Sequence, residues 1–359
     1  MPPPEHAPYS KDAPVPGSAK SSDFDLGSRY LLRGKVGSGA FSSVVSGKDT
    51  LHNELVAVKR VGNACPDVTA LRRLQRELSL LRRVRGHSNL VSVSNLVVRS
   101  STTEDAGDVT DCYLVTDLMC TDLAKMLDSD LQLSLDHIRC LMFQFLRALR
   151  HLDRCRVVHR DIKPGNLLID ELWHLKICDL GIARSSGGFD TTKPIETFDA
   201  RFTDYVVTRP YRAPELLMGS KNYTSSVDVW AAGCIFAELI AAQRPKDSAP
   251  LVRDTQGGLV RLPLFPGLDH RDMVHKIVGV LGHPSEEVLT TLTQWEPRAR
   301  AFVEKQPYRS CDLESKEEWT GVEGSSAFCS VESVSTNRVP PPPHAHLPPI
   351  ERAFPSAEL

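Results

Sequence analysis

The chain has 359 residues, of which 41% are apolar and 25% are charged, and its formal net charge is −2. This balance is typical of a folded globular protein and lacks the basic excess that nucleic-acid binding requires. No apolar run approaches the roughly 18 residues of a membrane span, and the N-terminus lacks the basic and apolar regions of a secretory signal. We therefore expect a cytoplasmic protein, with the nucleus as the alternative.

Both ends of the chain are poor in large apolar side chains. Residues 1–27 are rich in proline and serine, and residues 309–359 include a proline-rich stretch. Such segments bury too little apolar surface to offset the entropy of folding, so we predict two disordered tails. The nine cysteines are scattered without a C-x-x-C pair, which favours reduced thiols over disulfides or a zinc site.

The first folded region has the pattern of a small sheet with one helix. Short alternating apolar segments at residues 30–61 predict three antiparallel strands. Apolar residues then recur every three or four positions at residues 68–81, which predicts an amphipathic helix. Residues 112–118 predict another strand. Residues 28–117 therefore form the first lobe in this prediction.

From residue 134 onward the pattern becomes helical. Apolar residues fall on one face at residues 138–152, and residues 227–240 are apolar almost all round, which predicts a buried helix. Residues 118–308 thus form a second, mainly helical lobe, and the whole is an α+β fold of two lobes. The insert at residues 246–262 is rich in glycine and charge, and it predicts a surface loop without chemistry.

Two features of the first lobe are suited to an anionic ligand. Gly37 and Gly39 lie at a strand turn, where backbone N–H groups can approach a phosphate, although a plain tight hairpin explains the pattern equally well. Lys59 ends an apolar strand, where a buried ammonium group needs an anionic partner. Glu77, beside the apolar face of the predicted helix, is the expected partner, and a solvated lysine and glutamate is the alternative.

The decisive segments are His-Arg-Asp-Ile-Lys-Pro-Gly-Asn at residues 159–166 and Leu-Lys-Ile-Cys-Asp-Leu-Gly at residues 175–181. Phosphoryl transfer needs a carboxylate that orients and deprotonates a hydroxyl, a cation on the γ-phosphate, and oxygen ligands for Mg²⁺. Asp161 and Lys163 supply the first two, and Asn166 with Asp179 supplies the metal ligands. With Ala-Pro-Glu at residues 213–215, the order of these segments resembles that of the eukaryotic protein kinases.

Within that group the chain resembles the mitogen-activated protein kinases, through Asp-Leu-Met-Cys-Thr-Asp-Leu at residues 117–123 and Thr-Asp-Tyr-Val-Val-Thr-Arg at residues 203–209. The resemblance implies the bilobal protein-kinase fold and an ATP- and Mg²⁺-dependent serine/threonine kinase acting on protein substrates. It also implies activation by an upstream dual-specificity kinase, which phosphorylates Thr203 and Tyr205. We expect a monomer with no nucleic-acid or membrane partner.

The resemblance also assigns roles to individual positions. Met119 would meet adenine, Asp122 the ribose, and Thr116 would be the gatekeeper. Asp228 would accept hydrogen bonds from the catalytic-loop backbone, since an unpaired buried carboxylate is too costly. The implied ATP-binding set is Val36, Gly37, Ser38, Gly39, Ala40, Phe41, Ser42, Ser43, Val44, Ala57, Lys59, Thr116, Met119 and Asp122.

Five arginines match phosphate-binding positions of the same family. A phosphate on Thr203 would add a charge of about −2 within reach of Arg76, Arg160 and Arg184. Arg209 and Arg212 match the positions that hold the phosphotyrosine. Such charge-assisted pairs are strong enough together to order a loop.

The chain departs from the family pattern at Pro210, where the family usually has an aromatic residue, so a preference for substrates with a following proline stays open. No helical period follows residue 308. The C-terminal lobe is therefore predicted to be incomplete, with Glu215 lacking its arginine partner. The alternative function is a truncated, weakly active or inactive kinase-like protein that binds nucleotide or partners. A cyclin-dependent kinase is a weaker alternative.

Overall fold

The computed structural model describes residues 26–39, 42–61, 68–103, 107–129, 131–180, 182–185, 209–220, 223–243, 251–253, 259–261, 263–295 and 303–304. These residues form two compact units. The first unit holds the described residues up to Arg76 together with Val91–Met119, and the second holds Glu77–Leu90 and the residues from Cys120 onward.

The first unit is built on a five-stranded antiparallel sheet. Its strands are β1 (Tyr30–Gly39), β2 (Ser42–Asp49) and β3 (Glu54–Val61), then, after helix α1 (Val68–Arg83), β4 (Val93–Thr103) and β5 (Gly107–Asp117). The spatial order is β1-β2-β3-β5-β4. The three predicted strands, the helix and the strand at residues 112–118 are confirmed, whereas β4 was missed and β5 begins earlier than predicted.

The core of the first unit explains why these segments form strands. Val56 and Val58 alternate with less buried neighbours along β3, and both pack with Val115 and Leu26 in one cluster. Leu26 is only 5% exposed. Packed structure therefore begins two residues before the predicted boundary at residue 28, while residues 1–25 and 309–359 lie outside the described residues.

The boundary between the two units falls within the sequence of α1. Residues 77–90, which we had placed in the first lobe, belong to the second unit because Leu80, Val84 and Leu90 join its main hydrophobic cluster. The second unit comprises β6 (Thr121–Asp122), α2 (Leu123–Asp128), α3 (Leu135–Arg154), β7 (Val157–Val158), β8 (Leu167–Ile169), β9 (Leu175–Ile177), β10 (Arg184–Ser185), α4 (Pro214–Leu217), α5 (Ser226–Ala241), β11 (Leu251–Arg253), β12 (Leu259–Arg261), α6 (His270–Leu281) and α7 (Glu286–Trp295).

Helix α3 confirms the helix predicted from residue 134 onward. Ser134 caps its N-terminus by accepting from the backbone N–H of His137, whose ring Nδ1 accepts from the backbone N–H of Ser134 in return. The helix buries a face that includes Leu141, Phe145 and Leu152. This face packs in the same cluster as the strands that flank the catalytic segments, so the helix supports them directly.

Helix α5 confirms the predicted helix but only part of its predicted burial. Its hydrophobic side chains Ile235 and Leu239 are 0% and 1% exposed, whereas Val229 and Phe236 are 57% and 43% exposed. One stripe of this apolar helix is therefore uncovered by the described residues. The apolar pattern alone predicted cover on every side.

The insert at residues 246–262 differs from the predicted loop. Its strands β11 and β12 pair antiparallel, with Val252 opposite Val260. Both strands have the sequence Leu-Val-Arg, a short β-branched pattern that supports a hairpin. Within the described ranges, no helix combines the length and apolar character needed to cross a bilayer.

Candidate active site

The glycine turn predicted to approach phosphate is the end of a β-hairpin. Gly37 pairs with Val44, Ser38 with Ser43 and Gly39 with Ser42 across β1 and β2. The pairing is irregular between Lys35 and Gly37, so half-buried Val36 lies at a bulge. The predicted residues Ala40 and Phe41, at the tip, lie outside the described residues.

One face of the sheet carries several of the predicted ATP-binding residues. Val44 lies opposite Lys59, and Ala57 lies opposite Thr116. Residues two positions apart on one strand point to the same face of a sheet, and so do directly paired residues of antiparallel strands. All four side chains therefore share a face. Lys59 is half-buried there. The pairing register therefore places these four residues together, and their binding of ATP stays a prediction.

The structure also describes Met119, Thr116, Glu77 and Arg76. Met119 is 8% exposed, and the hydroxyl of Thr116 donates to the carbonyl of Asp117 at 3.4 Å. Glu77 is 8% exposed in α1 and belongs to the second unit, whereas Lys59 and half-buried Arg76 belong to the first. The pairing of Lys59 with Glu77 stays a prediction.

Asp161 lies at the centre of a hydrogen-bonded group in the second unit. Its carboxylate Oδ2 accepts from Lys163 Nζ at 2.8 Å and from Asn166 Nδ2 at 3.1 Å. Asn166 Nδ2 also donates to the backbone carbonyl of Asp161 at 2.7 Å. The Asp161 side chain is 12% exposed, so it is oriented yet open to solvent. Three of the predicted catalytic and metal-binding residues are therefore in direct contact.

A buried carboxylate holds the backbone of the loop that presents Asp161. Asp228 in α5 accepts from the N–H of His159 at 2.7 Å and from that of Arg160 at 2.8 Å. Arg160 has φ of 72°, a strained value for a non-glycine residue. Burial raises the pKa of Asp228, and nearby His159 and the two N–H donors lower it. The predicted role of Asp228 is confirmed.

His159 joins the two catalytic segments, and the sequence analysis had given it no role. The ring is 0% exposed; its Nδ1 accepts from the N–H of Asp161 at 3.3 Å, and its Nε2 donates to the carbonyl of Cys178 at 2.9 Å. The N–H of Cys178 in turn donates to the carbonyl of Asn166 at 3.0 Å. These bonds hold the residue before Asp179 against the catalytic loop.

The donor set at Asn166 and Asp179 suits a hard divalent cation. Both hydrogens that Asn166 donates go to Asp161, and its Oδ1 accepts no hydrogen bond from any residue that the structure describes. Asp179 is exposed and has φ of 63°, in the left-handed region. An amide oxygen and a carboxylate are oxygen ligands of the kind that Mg²⁺ prefers. The residues present therefore fit Mg²⁺.

Asp122, predicted to meet the ribose, also has a local structural role. Its side chain caps α2 by accepting from the backbone N–H of Lys125 at 3.0 Å. Asp122 also lies 3.6 Å from the ammonium of Lys125. The cap holds the carboxylate in one orientation, which is a separate function from the predicted ligand contact.

Two of the three arginines predicted to bind phosphothreonine, Arg160 and Arg184, interact electrostatically with Tyr223. Arg160 lies over the ring of Tyr223, 5.5 Å from its centroid, and Arg184 pairs with Val158 in the β7–β10 ladder. Burial raises the pKa of Tyr223, and both arginines lower it. Thr203 and Tyr205 lie outside the described residues.

Arg209 is the first residue of a 3₁₀ turn formed by Arg209–Tyr211, and Arg212 directly follows the turn. Arg209 Nη1 donates to the carbonyl of Leu268 at 2.6 Å, and Arg212 Nη1 donates to His270 Nε2 at 3.1 Å. Arg212 is 8% exposed. Pro210 lies inside the turn, where its missing N–H is tolerated.

Tyr211, in the same turn, makes a buried contact that the sequence analysis missed. Its hydroxyl donates to Glu238 Oε2 in α5 at 3.1 Å. Burial raises the pKa of Glu238 to about 8, against a lowering effect of the Tyr211 bond. The contact could not be found from the sequence because 27 positions separate the two residues.

Glu215, predicted to lack its arginine partner, lies in the first turn of α4. It is half-buried, and burial raises the pKa of its carboxyl group. No described basic side chain forms an ion pair with it.

Comparison with known proteins shows similarity to protein kinases. Residues 30–300 match the protein kinase domain. The chain is 38% identical to mitogen-activated protein kinase homolog NTF3 of Nicotiana tabacum and to mitogen-activated protein kinase 7 of Arabidopsis thaliana. Each alignment covers 286 residues, which is 79% of this chain. It is 37% identical to mitogen-activated protein kinase homolog 1 of Petunia hybrida. The match covers 67%, 68% and 65% of these relatives, so the chain spans about two thirds of their length.

Proposed function

Because the chain belongs to the mitogen-activated protein kinase family, a group of ATP-dependent serine/threonine protein kinases, we propose that it phosphorylates proteins in a signalling cascade. Its reaction moves the γ-phosphate of ATP to a serine or threonine hydroxyl. An upstream dual-specificity kinase switches it on by phosphorylating Thr203 and Tyr205.

The proposed general base is Asp161. The carboxylate accepts two side-chain hydrogen bonds on Oδ2, from Lys163 and Asn166, and this leaves Oδ1 to receive the substrate hydroxyl proton. The Asp228 anchor and the His159 ring hold the loop backbone, so the carboxylate is positioned before substrate arrives. Positioning of this kind supplies most of the catalysis in phosphoryl transfer.

Lys163 is proposed to neutralise the transferred phosphoryl group. Its ammonium lies 2.8 Å from Asp161, close to the position that the hydroxyl must take. When ATP is bound, the ammonium can contact a γ-phosphate oxygen while it keeps its bond to Asp161, because it has three donors. Lys59 and Glu77 are proposed to hold the other phosphates.

Asn166 Oδ1 and the Asp179 carboxylate are the proposed ligands of Mg²⁺. When bound, the ion neutralises charge on the phosphate oxygens of ATP. The chain orients both ligands through the Asn166–Asp161 bonds and through the Cys178 backbone bonds to Asn166 and His159.

The arginines support the proposed switch. Arg76, Arg160 and Arg184 would bind a phosphate on Thr203. A phosphate on Tyr205 would be bound by Arg209 and Arg212. Tyr205 is four residues from Arg209, so covalent connection limits their Cα separation to about 14 Å. Substrates in which proline follows the target residue are the proposed class, with Pro210 as the position that modifies this preference.

The contact network of Asp161 is the observation that carries the proposal. An Asp161→Asn variant keeps an acceptor for Lys163 but removes the base, so a single turnover should slow by about 100-fold or more while nucleotide binding stays within about threefold. Asp136→Asn, at an exposed position in the first turn of α3, is the matched control. Equal rates in Asp161→Asn and the control would contradict the assignment.

A second candidate function is a kinase-like binding protein with little turnover. The exposed stripe of α5, with Val229 and Phe236, and the half-buried Glu215 without a described ion pair favour it, since both lower the stability of the catalytic unit. A folded, phosphorylated chain that binds ATP but transfers no phosphate would support this candidate.

A further inference from the structure

The outer side of α3 carries arginines beside two exposed apolar side chains. Phe143 and Leu146 are 52% and 49% exposed, although the opposite side of the helix is buried. Arg147 and Arg150 are exposed on the same stripe, because residues three and four positions apart are neighbours on a helix surface. Together these four residues form one surface, the arginine face.

Neither arginine of this face has an anionic partner among the described residues. The guanidinium group of Arg147 lies over the ring of Phe143, 5.7 Å from its centroid. The side chain of Arg150 forms no ion pair or hydrogen bond with any residue in the described ranges. By contrast, Arg139, one turn before Phe143, pairs with Asp136 at 3.1 Å. Within this part of the chain the two charges of the arginine face are uncompensated.

Two like charges at this spacing weaken a helix, because side chains three positions apart are neighbours and repel each other. The helix dipole favours cations at a C-terminus, but its effect is confined to the last turn. His151 and Arg154 are the basic residues in the last turn of α3, and Arg147 and Arg150 precede that turn. The dipole therefore does not account for the arginine face, whereas binding of an external anion would.

The end of α1 extends this positive surface. His87, which follows α1, stacks on His151 of α3 with the ring centroids 4.7 Å apart. Burial lowers the pKa of His87, and the charges of His151 and Arg147 lower it further, so Arg147 lies near this joint. Arg82 and Arg85 are exposed at the end of α1. The positive surface thus continues from α3 to the end of α1.

We propose that the arginine face binds an acidic segment of a partner protein, in which carboxylate groups flank an apolar side chain. A guanidinium group offers a planar fork of donors that matches a carboxylate. Phe143 and Leu146 provide an apolar contact beside the forks, and aromatic residues and arginine are enriched in protein interfaces. From Phe143 to Arg150 the helix rises by about 10 Å, which is the length of about three extended residues. A short segment can therefore contact the whole face.

A protein segment fits this surface better than a membrane or a nucleic acid does. Asp136 and Asp153 are exposed on the same side of α3, and a broad anionic surface would bring its own charges against both. A peptide is narrow enough to avoid these two carboxylates. The net charge of −2 also gives the chain no long-range attraction for a polyanion.

The test measures binding of a synthetic acidic peptide to the 359-residue chain. The probe is a fluorescein-labelled peptide of about 12 residues, in which leucine and phenylalanine are set between aspartate and glutamate. We expect a Kd on the order of 10 μM, which weakens as salt is added. A control peptide with lysine in place of every acidic residue should not bind.

Charge reversal identifies the binding surface. Arg150→Glu should weaken binding of the acidic peptide by about tenfold or more, whereas Arg271→Glu should stay within about twofold of the parent chain. Arg271 is exposed on α6, so this control makes the same change of charge elsewhere. Phe143→Ser should weaken binding by about fivefold at low and high salt alike, because it removes an apolar contact and no charge. Equal unfolding temperatures of the variants confirm that these affinities concern folded protein.

Equal affinities of Arg150→Glu and Arg271→Glu would overturn the proposal, and so would a folded parent chain that does not bind the acidic peptide. Phosphatidylserine vesicles and a DNA duplex are tested in parallel. If either binds more tightly than the peptide and Arg150→Glu abolishes that binding, the arginine face has a different occupant and the proposal is wrong. Because the peptide is added without ATP, none of these results depends on phosphate transfer.

Discussion

The buried carboxylate of Asp228 accepts the backbone N–H of His159 at 2.7 Å, although 69 positions separate the two residues. The bond ties the apolar helix α5 to the loop that presents Asp161. Stability of the second unit and geometry of its catalytic loop are therefore coupled through one side chain.

An Asp228→Asn variant should be destabilised and slow. An amide has one acceptor oxygen, so one of the N–H groups of His159 and Arg160 loses its partner and faces an NH₂ group. We expect the free energy of unfolding to fall by about 1 to 3 kcal/mol, with a lower kcat. Chemical denaturation and steady-state kinetics check this. Asp136→Asn, at an exposed position of α3, serves as control; if both variants unfold with equal free energy, the anchor is unimportant.

Chemistry-bearing residues close together in sequence were the easiest to predict. Asp161, Lys163 and Asn166 fall within six positions, and the structure brings them into contact. The role of Asp228 was also predictable, because a carboxylate in an apolar helix requires partners. The cost of burying charge predicts only that Asp228 needs partners, and the family resemblance implied that these partners lie in the catalytic-loop backbone.

Contacts between distant segments were not predictable. Arg212 and His270 are 58 positions apart, and neither residue type indicates the other. Strand β4 was missed because its second half, Arg-Ser-Ser-Thr-Thr, is polar and obtains its pairing from β5. The hairpin of the insert was missed because its strands are only three residues long. In each case tertiary pairing decides what the local pattern leaves open.

Replacing Asp179 by Asn should abolish Mg²⁺-dependent phosphate transfer while the fold is kept. The residue is exposed, so the change removes a cation ligand and little packing. ATP turnover measured across Mg²⁺ concentrations should fall by about 100-fold or more. Thermal unfolding of the variant should match that of the parent chain. Retained turnover at ordinary Mg²⁺ would overturn the assignment.

The pKa of Glu238, raised by burial to about 8, predicts a pH dependence of stability. The folded state binds the proton more tightly than the unfolded chain, whose glutamate titrates near 4.5. The stabilisation is therefore complete below about pH 4.5 and is lost as pH rises towards about 8, by at most about 5 kcal/mol.

Glu238→Gln isolates this effect. Gln keeps an acceptor for the Tyr211 hydroxyl but does not titrate, so its stability should decline less between pH 5 and pH 9 than that of the parent chain. The measurement is the unfolding temperature of both proteins between about pH 5 and about pH 9. Parallel curves would show that Glu238 does not hold its proton in the folded state.

The double variant Thr203→Ala, Tyr205→Phe should no longer respond to an upstream dual-specificity kinase. Both substitutions remove the hydroxyl that would carry phosphate, and with it the charge of about −2 that the arginines would meet. The ratio of activity after and before treatment should fall to about one in the variant, against a rise of about tenfold or more in the parent chain. An undiminished rise would show that activation occurs elsewhere.

The most direct test of the proposed kinase activity is phosphate transfer by the 359-residue chain after treatment with an activating kinase. Labelled γ-phosphate from ATP would be followed onto a generic basic protein, with phosphoamino-acid analysis and with Asp161→Ala treated in parallel. We expect label on serine and threonine that disappears in Asp161→Ala. A folded, doubly phosphorylated chain that binds ATP yet transfers no label, or an equally active Asp161→Ala, would contradict it.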